Sequence, residues 1–137
     1  MTNEICISLR PEMAELVRLR KKNHEFRRYK LPYEVRRLWI YVTMPVSELR
    51  YIAEIGELVE YPTNIPEDGV GNTEFNKGLK KSKYAYPILH LDELVEPLNL
   101  QRLREEFGFS PPQRFVYTTK YQKLVDHFSS SRLRGLY

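Results

Sequence analysis

Apolar and polar positions alternate most cleanly over residues 38–44. Leu38, Ile40, Val42 and Met44 fall on one side of an extended chain, and Trp39, Tyr41 and Thr43 on the other. β-Branched and aromatic residues fill the run and Pro45-Val46-Ser47 ends it, so the pattern predicts a strand. A second extended run, Arg50 to Tyr61, sets Tyr51, Ala53, Ile55, Val59 and Tyr61 against Glu54, Gly56 and Glu60. Ile5-Cys6-Ile7-Ser8-Leu9 reads as a short, largely buried strand. Tyr84 to Leu94 reads as another, with Pro87 marking an edge or a bulge because it has no N–H for a ladder. Gln113 to Thr118 predicts the last strand, with Phe115 and Tyr117 on one face.

Helical periods separate these strands. Pro11 suits a first helical position, and Met13, Leu16, Val17 and Arg20 recur at i, i+3, i+4 and i+7, a stripe that turns basic at its end. Leu31-Pro32-Tyr33 then breaks the extended stretch that follows. Pro62 to Asn72 is a loop, and Asn72 or Thr73 caps a short helix to Lys81 that Gly78 weakens. Asn99 caps a helix from Leu100 to Phe107, closed by Gly108. Tyr121, Leu124, Val125 and Phe128 form the stripe of a closing helix, and Ser129 to Tyr137 reads as a polar, frayed tail. The sum is an α+β fold: one domain over 1–128 and a tail over 129–137. Five to six mostly antiparallel strands and three to four short helices point to a small open or partly closed barrel.

A chain of 137 residues with 42% apolar content buries a real core as a single domain. No run approaches the roughly 20 apolar residues of a membrane span, so a soluble, intracellular protein of the cytoplasm or nucleus is expected, with no membrane partner. The single cysteine, Cys6, has no partner for an internal disulfide and reads as a buried structural thiol. The net charge is only +4, but nine Lys or Arg against two carboxylates lie between Arg18 and Arg37, while residues 51–137 hold eleven basic and twelve acidic groups. Such a concentrated field suits a polyanion, through phosphate neutralisation and counterion release. The plainer alternative is a solvated basic face, or one that meets an acidic protein partner.

The candidate chemistry sits where helix gives way to strand, in Arg20-Lys21-Lys22-Asn23-His24-Glu25-Phe26-Arg27-Arg28. Alternation sends His24 and Phe26 to one face and Glu25 and Arg27 to the other, with Lys22 at the junction. Lys22, Arg27 and Arg28 supply donors for phosphate or carbonyl oxygen, and Glu25 an acceptor for a base amino or imino group. Trp39 and Tyr41 would stack a base, or else form a second hydrophobic face under a helix. Ser8, Ser47 and Thr43 are nucleophiles only if a base lies close in space. His24, His90 and His127 are scattered, no Cys or His pair has metal-ligand spacing, and Gly69-x-Gly71 lacks the rest of a phosphate loop. No metal or other cofactor is expected.

Three stretches carry a family resemblance. Lys22, Glu25 and Arg27 match the motif Gly-x-Lys-x-x-Glu-x-Arg, with Arg20 at the leading Gly. Ile7-Ser8-Leu9-Arg10-Pro11 is similar to the family's start, and Phe107-Gly108-Phe109-Ser110-Pro111-Pro112-Gln113-Arg114-Phe115 to a stretch near its end. On these the chain resembles the ASCH domain family of the PUA-like superfamily, which also contains the EVE and PUA modules. The resemblance spans most of residues 5–118. It implies a barrel-like fold with a cleft beside the motif that holds RNA, another single-stranded nucleic acid or a modified nucleoside. The ligand-binding set would be Lys22, Glu25, Arg27, Arg28, Trp39, Tyr41 and Ser8. The resemblance also implies an alternative. Small bacterial members cleave the acetyl amide of N4-acetylcytidine with the motif Lys and a Thr two residues before the motif Arg. Here that position is Glu25, a poor nucleophile for an amide, so an amidohydrolase built on Lys22 and Glu25 would use the carboxylate to position water.

Overall fold

The structure is a computed structural model that describes residues 4–32 and 34–137; Tyr33, in the break after the motif, lies outside the described residues. Among the described residues, eight strands and four α-helices follow one another as β1 (Glu4–Leu9), α1 (Pro11–Arg18), β2 (His24–Arg27), β3 (Arg37–Val42), β4 (Glu48–Ile55), β5 (Val59–Glu60), α2 (Asn72–Asn76), β6 (Tyr84–Asn99), α3 (Leu100–Phe107), β7 (Val116–Tyr117), α4 (Gln122–Ser129) and β8 (Leu133–Gly135). The strand order is β2-β6-β4-β3-β1-β7, with β5 and β8 also on β6. Every pairing is antiparallel except β1 with β3. A parallel pair needs a long crossover, and the segment between β1 and β3 supplies it with α1 and β2. The motif thus lies on the one connection that must cross the sheet.

β6 sets the curvature. Its first half pairs with β2 and β5 and its second half with β4 and β8, with a register break opposite Glu54/Ile55 next to Pro87. Such a break bends the strand and raises its twist. The sheet curls into a half-barrel whose end strands approach across a seam. There Arg27 Nη1 donates to the Arg114 carbonyl at 3.4 Å, and the Tyr29 and Phe115 rings lie 6.1 Å apart.

Both faces of the central strand are buried, and for different reasons. Leu38, Ile40 and Val42 fill the inside of the curl with Ile5, Ile7, Ala53 and Leu91. Trp39 and Tyr41 point outward into a second core that α3 and α4 cover through Leu103 and Leu124, together with Phe109 just past α3. α3 begins and ends as its sequence dictates: the Asn99 side chain accepts from the Arg102 N–H at 2.8 Å, and Gly108 ends the helix at φ 63°. A third cluster, Ile65, Phe75 and Ala85 with Phe26 packed against it, anchors the segment between β5 and β6.

Several elements differ from the pattern. β6 continues to Asn99, because its outer half is shared between β4 and β8 and needs no strict alternation. The Arg50–Tyr61 run divides at Gly56, whose N–H donates to the Pro87 carbonyl. α2 stops at Asn76, just before Gly78 at φ 71°, and β7 keeps only two residues. The C-terminal segment is not frayed. Leu133–Gly135 pairs with β6, Leu136 and Tyr137 pack on the inner core, and the Tyr137 hydroxyl donates to the Val17 carbonyl. Cys6 is buried, and burial pushes its thiol far above the ordinary range. Among the described residues no helix is long and apolar enough to cross a membrane.

Candidate nucleic-acid interface

The motif begins with a forced turn. The Lys21 and Lys22 N–H groups both donate to the Leu16 carbonyl, at 2.9 and 3.0 Å, which terminates α1 tightly. That turn puts Arg20 at φ 61°, the left-handed region where a Cβ is strained. Glycine, the residue of the family motif, removes that strain; here the Arg20 guanidinium lies 4.8 Å above the Tyr137 ring instead. The turn delivers Lys22 to the start of β2, 7% exposed.

Along β2 the expected faces hold. Glu25 and Arg27 sit opposite Tyr86 and Tyr84, while His24 and Phe26 sit opposite Pro87 and Ala85. Glu25 is buried, with Oε1 3.7 Å from Arg27 Nε. That Nε is itself buried and has no hydrogen-bond acceptor among the described residues. Arg27 Nη1 reaches the Tyr29 hydroxyl and the Arg114 carbonyl, each at 3.4 Å, and the Arg114 guanidinium covers the Tyr29 ring at 3.9 Å. Lys22 Nζ lies 4.4 Å from the centre of the Phe26 ring. Burial lowers its proton affinity most; Glu25 opposes the shift, while Lys80 and Arg27 add to it. One carboxylate and three cations therefore sense one another at the rim of the half-barrel.

The structure pairs Glu25 with Arg27 on one face of β2, sets Lys22 over Phe26 on the other within electrostatic reach of both, and separates the rest of the expected set. Arg28 is exposed just past β2. The Ser8 hydroxyl donates to the Pro112 carbonyl at 2.7 Å, tying β1 to the connector before β7. Trp39 and Tyr41 are each 3% exposed and present no ring to a base. Trp39 Nε1 donates to Glu4 at 2.9 Å and its ring meets Phe128 edge-on at 4.3 Å, while Tyr41 lies 6.3 Å from Phe109. The clean alternation that made them candidates arises from two hydrophobic cores, one on each side of β3.

Other groups join the cluster from distant sequence. The Val70 N–H donates to the Lys21 carbonyl, Asn23 Nδ2 to Asp68, and Asn72 Nδ2 to Asn23 Oδ1. His24 Nδ1 also bonds Asn23 Oδ1 at 2.8 Å, which requires the proton on Nδ1, and burial lowers the His24 pKa. These bonds fasten the β5–β6 segment beside the motif and leave an open cavity of about 420 Å³ lined by Arg20, Asn23, His24, Pro66, Asp68, Pro87 and Ile88. A second cleft of about 410 Å³ opens below Tyr86, between Leu31, Val35 and Leu58. Lys80, Arg114 and Tyr29 escaped the reading of the sequence. Their only signal there is a basic residue near an aromatic one, which recurs throughout this chain.

No family model matches the chain. Over 133 residues it is 34% identical to an ASCH domain-containing ribonuclease of Zymomonas mobilis, a match that spans 89% of this chain and 90% of that protein. The crystal structure of ASCH from Zymomonas mobilis superposes with a TM-score of 0.66 at 27% identity, covering 94% of this chain and 96% of that one. A Ser-to-Ala variant of the same protein gives a TM-score of 0.71 at 26% identity over 94% and 96% of the two chains. Sequence identity along almost the whole length and a shared half-barrel agree: the chain belongs to the ASCH domain family.

Proposed function

We propose that the chain binds single-stranded RNA across the rim formed by Lys22, Glu25 and Arg27. The observation that carries the reading is a buried lysine beside a half-buried, under-satisfied arginine. Lys22 is 7% exposed with only an aromatic ring and distant charges for company, and Arg27 Nε is buried without an acceptor. Buried cationic groups without a hydrogen-bond acceptor cost several kcal/mol by order of magnitude, and a ligand anion would supply the acceptor that Lys22 and Arg27 Nε lack among the described residues. Arg27, with Arg114 beside it, faces phosphate; Glu25 accepts from a base amino or imino group; Arg28 adds an exposed charge at the edge. The stacking rings are the half-buried Tyr29 and Phe115, which border the cluster, and not Trp39 or Tyr41. The name of the Zymomonas mobilis relative supports RNA over other polyanions.

That name also favours a second reading, in which the bound strand is cut. Burial lowers the Lys22 pKa, and Glu25, on the other face of β2, is an acceptor for a 2′-hydroxyl proton. The 2′-oxygen would then attack the adjacent phosphorus, and the 5′-oxygen of the next nucleotide would leave with a proton from Lys22 or water. The test is fluorescence anisotropy with single-stranded RNA, single-stranded DNA and duplex DNA at two salt concentrations, for the native chain and Lys22→Met. Gel analysis of the same RNA follows cleavage. RNA binding that weakens with salt and fails in the variant supports the site. Equal affinity of variant and native chain refutes it. Intact RNA alongside release of acetate from acetylated cytidine would replace strand cleavage with amide hydrolysis.

A further inference from the structure

We infer that Lys80, which lies on the segment between β5 and β6, forms with Lys22 a two-lysine seat for one phosphate group, with the Phe26 ring as its floor. Lys22 Nζ and Lys80 Nζ lie 4.4 and 4.6 Å from the centre of that single ring. Neither ammonium has an ion pair or hydrogen-bond acceptor among the described residues, although Lys22 is more than nine-tenths buried. Two like charges on one ring repel each other, and a ring quadrupole offsets only part of that. A phosphate between them meets both, with charge-assisted hydrogen bonds to each.

The backbone around the seat is shaped to permit it. Gly71, at φ 88°, packs against Phe26 and Lys80 so closely that a Cβ there would stand 2.9 Å from both Lys80 Cε and Phe26 Cε2. Glycine at this position therefore lets Lys80 lie over the ring. The Asn23–Asn72 and Val70–Lys21 bonds hold the segment against the motif. Next to these bonds Asn72 Oδ1 is buried with no donor among the described residues. The seat lies on the Phe26 side of β2, so it takes a phosphate neighbouring the one that Arg27 would face.

The inference rests on the RNA reading for its ligand, and the test separates the two. Lys80→Gln is compared with Lys81→Gln, a substitution of equal charge at the exposed neighbouring lysine. One readout is the rise in Tm with inorganic pyrophosphate, which needs no RNA; the other is affinity for single-stranded RNA against salt. The seat predicts that Lys80→Gln abolishes the pyrophosphate shift and weakens RNA about tenfold, the order expected for one charge-assisted contact. It also predicts a salt slope smaller by about 0.7, the value for one phosphate of a single strand. Lys81→Gln should change affinity less than twofold. Equal behaviour of the two variants overturns the seat while leaving RNA binding at Lys22 intact. A pyrophosphate shift lost in Lys80→Gln, with no RNA binding by the native chain, keeps the seat and removes the RNA reading. No pyrophosphate shift in the native chain overturns the seat outright.

Discussion

Replacing Lys22 by Met removes the ammonium and keeps the length of the side chain, and its effect on stability has a definite sign. Taking an ammonium out of water costs several kcal/mol even after relaxation. Against that, its contact with Phe26 returns about 1–2 kcal/mol. Glu25 adds attraction, but Lys80 and Arg27 repel. Removing one member of a buried ion pair ordinarily destabilises, yet Glu25 keeps Arg27 Nε at 3.7 Å, so no carboxylate is stranded. A methionine sulfur on the Phe26 ring recovers a further ~0.5–1 kcal/mol. The balance predicts that Lys22→Met is about 1 kcal/mol more stable at pH 7, about 3 °C in Tm for a chain of this length. The pH dependence follows from the same burial. The folded Lys22 pKa lies below its ordinary 10.5, so between those values the unfolded state binds more protons and native stability rises with pH. The advantage of the variant therefore shrinks as pH climbs toward 10.5. Urea unfolding of both chains at pH 7 and pH 10 reads both effects. A variant that is less stable at pH 7, or an advantage that grows with pH, refutes the view of Lys22 as a strained, ligand-awaiting cation.

Arg20 is in the left-handed region, so Arg20→Gly should exceed Arg20→Ala in stability by about 1 kcal/mol, measured as the difference in urea midpoints. Both variants lose the contact with Tyr137, and a right-handed Arg20 would reverse their order. Trp39 is the only tryptophan and is buried away from the rim, so saturating RNA should leave its emission maximum unchanged. Trp39→Phe, which loses the bond to Glu4, should cost about 1–2 kcal/mol in urea unfolding and leave RNA affinity within twofold. Ending the chain at Ser131 removes β8, Leu136 and Tyr137, and should lower stability by at least about 2 kcal/mol from lost burial alone; an unchanged midpoint would restore the frayed tail.

What the sequence made legible follows from which physical signals are local. α1, β3 and α3 carry their own instructions: proline at a first turn, strict alternation, and an Asn99 cap answered by Gly108. The alternation along β2 was equally readable, since it sends Glu25 and Arg27 to one face and His24 and Phe26 to the other. Trp39 and Tyr41 show the limit. Alternation says that two residues share a face, and not that helices far downstream, at Leu100–Phe107 and Gln122–Ser129, will cover it. β8 is the same case reversed: Leu133, Arg134 and Gly135 carry no strand pattern of their own and become a strand only because β6 offers an edge. Lys80 and Arg114 reach the motif by tertiary routes, after α2 and across the barrel seam, so their neighbours in the chain do not set them apart from its other basic residues.

Photo-crosslinking of single-stranded RNA carrying 4-thiouridine, followed by mass spectrometry of the cross-linked peptides, locates the bound strand without altering any residue. RNA seated at the rim of the half-barrel should mark peptides from residues 20–29, 80–86 and 114–117. Cross-links confined to the opposite side, on α3 and α4 at residues 100–107 and 122–129, would contradict a site at Lys22, Glu25 and Arg27.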